Sequence, residues 1–120
     1  MPRILLADDS AEFCEVIREA LEAEGYEVVV AEDGQRALEL FGTAGPFDCL
    51  LFDHDMPRMT GRDAIASLRS SGVRTPGLIL SASVLLTEEQ LQDLDVTLLR
   101  KPVSIAVLVA EIRRVLGASP

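Results

Sequence analysis

Five short apolar runs alternate with five stretches of helical periodicity, and that alternation restricts the fold more than any other feature of the chain. The runs are Arg3–Ala7, Glu27–Ala31, Cys49–Phe52, Leu78–Leu80 and Val96–Leu99. They are too short for buried helices and rich in Val, Leu and Ile, as strands covered on both faces are. The first helix, about Ala11 to Glu24, puts Phe13, Val16, Ile17, Ala20 and Leu21 on one face. Glu12, Glu15, Glu19 and Glu22 take the other, and Gly25 stops it. A second, short helix opens at Gly34, points Ala37, Leu38 and Phe41 inward, and ends by Gly42, Gly45 and Pro46. Thr60-Gly-Arg-Asp63 starts a third, with Ala64, Ile65 and Leu68 as its stripe and Ser70-Ser71-Gly72 as its close. Thr87-Glu-Glu-Gln90 fits a capping box and predicts a fourth helix of two or three turns carrying Leu91 and Leu94. The fifth runs from about Ser104 to Leu116, with Ile105, Leu108, Val109, Ile112 and Leu116 apolar. Gly117 to Pro120 is expected to fray.

Strands separated by amphipathic helices imply an α/β fold: a five-stranded parallel sheet with helices on both faces. Five such units suit the doubly wound, flavodoxin-like (βα)5 order 2-1-3-4-5, taken here from fold analogy, whose switch point lies between strands 1 and 3. A length of 120 residues suits one domain, residues 1–120, and 48% hydrophobic residues can fill its core without metal or disulfide staples. Cys14 and Cys49 fall in a helix and a strand with no metal-ligand spacing and read as buried thiols. The formal charge of −9 opposes binding to nucleic acid or an anionic membrane. The apolar start, Ile4–Ala7, is too short for a signal core or a membrane span, so a cytoplasmic protein is expected.

The polar residues that end these runs carry the chemistry. Asp8 and Asp9 follow strand 1, Asp53 and Asp55 follow strand 3, Ser81 follows strand 4, and Lys101 follows strand 5. In open α/β sheets, ligands bind where strands open into loops at the switch point. Asp8, Asp9 and Asp53 should therefore meet. Two carboxylates about 4 Å apart repel by roughly 4 kcal/mol at an effective dielectric of 20. A divalent cation relieves this, and Mg2+ suits a few carboxylates shared with a phosphate. A carboxylate in that position can act as a nucleophile and form an aspartyl phosphate. Ser81 and Lys101 would supply a hydroxyl and a cation to a transferring phosphoryl group.

The set Asp8-Asp9, Asp53-x-x-Met56-Pro57, Ser81-Ala82 and Lys101-Pro102, each part following a strand, resembles the receiver domain of two-component response regulators. The likeness covers about the whole chain. It implies a phosphoprotein of signal transduction and phosphorelay in which Asp53 is the phosphoacceptor. Asp9 would bind magnesium directly, Asp8 directly or through water, and Asp55 through its backbone carbonyl. Ser81 and Lys101 would contact the phosphoryl group, and the small Ala82 would leave it accessible. The resemblance implies a histidine kinase or phosphotransfer protein as donor, and an output domain or partner protein as recipient. It also leaves open a homodimer through helix 4, strand 5 and helix 5. The chain would not be an enzyme acting on an outside substrate; it would promote its own phosphorylation and dephosphorylation. A stand-alone receiver and a piece of a longer regulator or hybrid kinase both fit.

Two departures stand out. Receivers usually carry Tyr or Phe three residues before the lysine, and here that residue is Leu98. A weaker or different output switch is expected, or one confined to the loops after strands 3 and 4. Asp93-Leu-Asp-Val96 lacks the glycine-alanine turn common in the family, so helix 4 is where length and position should differ. His54, the single histidine, reads as a loop side chain flanking the site. The Asp55 carboxylate would tune the phosphate's lifetime, and Leu85 and Leu86 read as packing under a loop or as part of a partner surface. The alternatives are a receiver-fold docking module that works unphosphorylated and a haloacid-dehalogenase-type phosphatase. Against the phosphatase, the acidic pair precedes the Asp53-His-Asp55 motif instead of following it. A flavin-binding role would need a phosphate cradle after strand 1, where Asp8 and Asp9 would repel the anion.

Overall fold

The computed structural model describes residues 1–117; the expected fraying of 118–120 lies outside the described residues. Five strands, β1 (Arg3–Ala7), β2 (Glu27–Ala31), β3 (Cys49–Asp53), β4 (Gly77–Ser81) and β5 (Val96–Arg100), form one sheet. All neighbours are parallel, in the order β2-β1-β3-β4-β5. The helices are α1 (Ala11–Ala23), α2 (Gly34–Ala44), α3 (Gly61–Ser70), α4 (Glu88–Leu91) and α5 (Ile105–Gly117). Alternation along each strand divides the core in two. Ile4, Leu6, Cys49, Leu51, Leu78 and Leu80 pack with Ile17 and Leu21 of α1 and Leu108 and Ile112 of α5. Leu5, Ala7, Leu50, Phe52 and Ile79 pack with Ala37 of α2, Ala64 and Ile65 of α3, and Leu91. β3, fully buried, is central, which explains its unbroken apolar run.

Three local readings change. In α1 the buried stripe is Cys14, Ile17 and Leu21, whereas Val16 is 52% exposed. The predicted face was rotated outward, because the thiol of Cys14 serves as an apolar contact. Helix α2 runs through Gly42 to Ala44 and stops only before Pro46, whose ring disfavours helical backbone at the preceding Gly45. The third concerns α4. Its capping box at Thr87 forms, but the helix has one turn, followed by a 3-10 turn at Gln92–Leu94. In a 3-10 turn residues i and i+3 eclipse, so Leu91 and Leu94 both reach the core while the chain bends early into β5. Asp95 makes that bend with φ 52°, filling the left-handed position that glycine usually takes.

Candidate functional site

All six singled-out residues gather at the C-terminal edge of the sheet. Ladder hydrogen bonds continue beyond the strands and fix them: Asp8 N–H donates to Ala31 O (3.1 Å), His54 N–H to Leu80 O (2.8 Å) and Lys101 N–H to Ser81 O (3.0 Å). An open cleft of about 540 Å³ is lined by Asp8, Asp9, Phe13, Asp53, Asp55 and Lys101, among others. Ser81, fully buried, sits at its wall through Asp55.

Of the three polar residues after β1, Ser10 caps α1, accepting from Phe13 N–H at 3.2 Å. The Asp8 carboxylate accepts from Ser10 N–H at 2.8 Å, which turns the chain and holds that carboxylate at the cleft. Asp8, Asp9 and Asp53 each present an oxygen within 4.8 Å of the others. Burial pushes Asp8 up to about 6, and the charges of Asp53 and Asp9 add to the effect. Burial also raises Asp53, which is 2% exposed; Lys101 offsets part of that rise.

The Lys101 ammonium lies 2.6 Å from Asp53 Oδ1. At that distance the two form a close, charge-assisted pair. Burial alone would lower Lys101, but Asp53, Asp8 and Asp55 together outweigh it and keep the amine charged. Its ammonium also lies over the Phe13 ring, 5.9 Å from the ring centre. Four acids and one base thus share the cleft. An all-oxygen, partly buried donor set of this kind fits a hard divalent cation.

Some contributors carried no signal strong enough to single them out. A Cβ on Gly61 would lie 2.5 Å from the Asp53 carbonyl oxygen, so only glycine allows α3 to start against the end of β3. The β3–α3 loop is also tied to α2: Arg58, at φ 66°, pairs with Asp33 at 2.8 Å. Arg100 reaches from the end of β5 to the carbonyls of Ser83 and Leu86, both at 2.5 Å, and so anchors the β4–α4 loop. Within that loop Leu86 is buried and Leu85 is 81% exposed, which separates the two roles the sequence left open. His54 faces away from the cleft, into a depression shared with Arg62, Ser83 and Gln90. Leu98 is half-buried and packs on the Leu50 and Phe52 side of the sheet.

A family model for the response regulator receiver domain matches residues 4–113. The chain belongs to the response regulator receiver family. This receiver is 42% identical over 82 residues to the transcriptional regulatory protein CpxR of Escherichia coli K12, covering 68% of the chain and 34% of CpxR. It is 37% identical over 119 residues to the transcriptional regulatory protein TrcR of Mycobacterium tuberculosis, covering 98% of the chain and 46% of TrcR. The chain therefore spans less than half the length of these two relatives. Among solved structures, the Francisella response regulator 1452 receiver domain superposes with a TM-score of 0.89 at 30% identity, covering both chains completely. TrrA of Thermotoga maritima, solved in complex with Mg2+ and BeF, superposes with a TM-score of 0.87 at 27% identity. That match covers 97% of the receiver and 100% of TrrA. The expected family and the 2-1-3-4-5 fold are both borne out. Among the described residues, no helix is long and apolar enough to cross a membrane.

Proposed function

We propose that residues 1–120 form one receiver unit that accepts a phosphoryl group on Asp53 from a phosphohistidine of a kinase or phosphotransfer protein. The observation that carries this is the buried Asp53 carboxylate, 2.6 Å from Lys101 and in reach of Asp8 and Asp9 at the switch point. An Asp53 oxygen attacks phosphorus, the P–N bond of the donor breaks, and the imidazole leaves with its electron pair. The product is an acyl phosphate on Asp53. Lys101 and the Ser81 hydroxyl hold the equatorial oxygens, where negative charge accumulates. Dephosphorylation reverses the load: water attacks phosphorus, the bond to Asp53 breaks, and carboxylate and inorganic phosphate result.

Asp8, Asp9, Asp53 and the backbone carbonyl of Asp55 would hold Mg2+. The ion, when bound, supplies positive charge that offsets the carboxylates and the incoming phosphoryl oxygens. The protein's own residues orient and shield: Phe13 lines the cleft, and Lys101 pairs with the acceptor carboxylate. The consequence for signalling is a rearranged surface on the β4–α4 side, read by an output domain or partner protein. Intact mass after treatment with acetyl phosphate and Mg2+ tests the reading. Wild type should gain one phosphate and Asp53→Ala none. A wild type that gains nothing would instead favour a docking role without phosphorylation.

A further inference from the structure

The Asp55 side chain is already engaged by the groups that the proposed chemistry needs. Its Oδ2 accepts from Ala82 N–H at 3.0 Å. Its Oδ1 is reached by the Ser81 hydroxyl at 3.4 Å, and Lys101 Nζ stands 3.9 Å from Oδ2. The Ser81 oxygen accepts in turn from Ser83 N–H at 3.0 Å, which leaves its proton for Asp55. A main-chain N–H, a hydroxyl and an ammonium converging on one anion make an oxyanion-binding set. Asp55 is also the only group they surround that can swing away, because its side chain is 37% exposed whereas Asp53 is 2% exposed.

We propose that the Asp55 carboxylate is an internal occupant of the phosphoryl-oxygen site, and that a phosphoryl group binds only by displacing it. This rests on Asp53 being the phosphoacceptor. The two anions cannot share the donors: both are acceptor-only, and Lys101 cannot offset two charges at once while it is paired with Asp53. Displacement turns Asp55 into solvent and hands Ala82 N–H and Ser81 to the new oxygens. The β4–α4 loop, which begins at Ala82, therefore passes from a tether on β3 to a tether on the phosphoryl group. In the unphosphorylated receiver Asp55 holds that loop in place and lowers the apparent affinity for any phosphoryl mimic. If the carboxylate occupies the donors about four-fifths of the time, the penalty is about fivefold.

The test uses beryllofluoride as the probe, titrated at saturating Mg2+ into wild type, Asp55→Ala and Asp55→Asn, each checked for an unchanged melting profile. It is joined to the hydrogen-exchange rate of the Ala82 amide in metal-free protein. Asp55→Ala should bind the probe about fivefold more tightly than wild type. Its Ala82 amide should exchange faster before any probe is added, and Asp55→Asn should fall between on both readouts. Equal or weaker binding by Asp55→Ala would overturn the proposal, as would an Ala82 amide that ignores the substitution. If neither wild type nor variants bind beryllofluoride, the phosphoacceptor reading fails instead, and the Ala82 amide still decides whether Asp55 holds that N–H.

Discussion

Asp8 shows how one residue ties the site to stability. Its folded pKa, about 6, lies above the value near 3.8 of an unperturbed side chain, chiefly through burial. The folded chain therefore holds this proton more tightly than the unfolded chain. The stability it contributes is complete below about pH 4 and is lost as pH rises through 6. Metal-free protein should thus lose stability between pH 5 and pH 7.5, and Asp8→Asn should flatten that loss. Thermal melts of both proteins in chelator at the two pH values check it; parallel slopes would remove Asp8 as the cause. Gly61 acts through shape alone. In Gly61→Ala the methyl meets the Asp53 carbonyl at 2.5 Å, so the end of β3 or the start of α3 must move. We expect a cost of about 1–3 kcal/mol in urea denaturation and slower phosphorylation by acetyl phosphate. Burial raises both thiols, Cys14 to about 11 and Cys49 to about 12, so neither should react with iodoacetamide in native protein at pH 7.5.

At the scale of elements, the segment from β4 to β5 departs most from what its sequence predicts. Its helix α4 has a single turn, and two side chains from outside hold its loop by three hydrogen bonds: Asp55 at Ala82, and Arg100 at Ser83 and Leu86. The guanidinium bonds two carbonyls at once, which a lysine amine cannot reproduce in the same fork geometry. Arg100→Ala should speed amide exchange across 83–86 by about tenfold or more and leave the exchange of β1 and β3 unchanged. Arg100→Lys should restore little of it. Leu98 sits half-buried on β5, where it can repack but offers neither a ring to turn nor a hydroxyl to bond. Spectra of free and beryllofluoride-bound protein should therefore shift less along β5 than at Ser81. Shifts of equal size would show that leucine transmits the change as an aromatic ring does.

For the molecule as a whole, the proposed metal site couples binding to folding. The −9 charge and the three crowded carboxylates make the metal-free form self-repelling at the cleft. Mg2+ at about 100 times its Kd should add about 2.7 kcal/mol of stability. Asp9 is exposed, so Asp9→Asn should fold normally and lose most of that gain. A melting temperature that responds to Mg2+ equally in both proteins would place the ion elsewhere.

The order of strands and helices along the chain, the helix starts at Thr60 and Thr87, and the meeting of Asp8, Asp9, Asp53, Ser81 and Lys101 at one sheet edge were legible in the chain. Periodicity, capping and strand-end position are local properties, and in a parallel sheet every strand delivers its last residue to the same edge. The rotation of α1 away from Val16, the length of α2, and the early bend at Asp95 were not legible. Each depends on which neighbour fills a space, and hydrophobic pattern does not encode that. The same reason hid Gly61 and Arg100, whose roles exist only because another segment's backbone lies within a few ångströms. The sequence could name the charges at the sheet edge; only the packing of β3 against β4 and β5 could decide that Asp55 reaches Ala82 and Ser81 while Asp53 keeps Lys101.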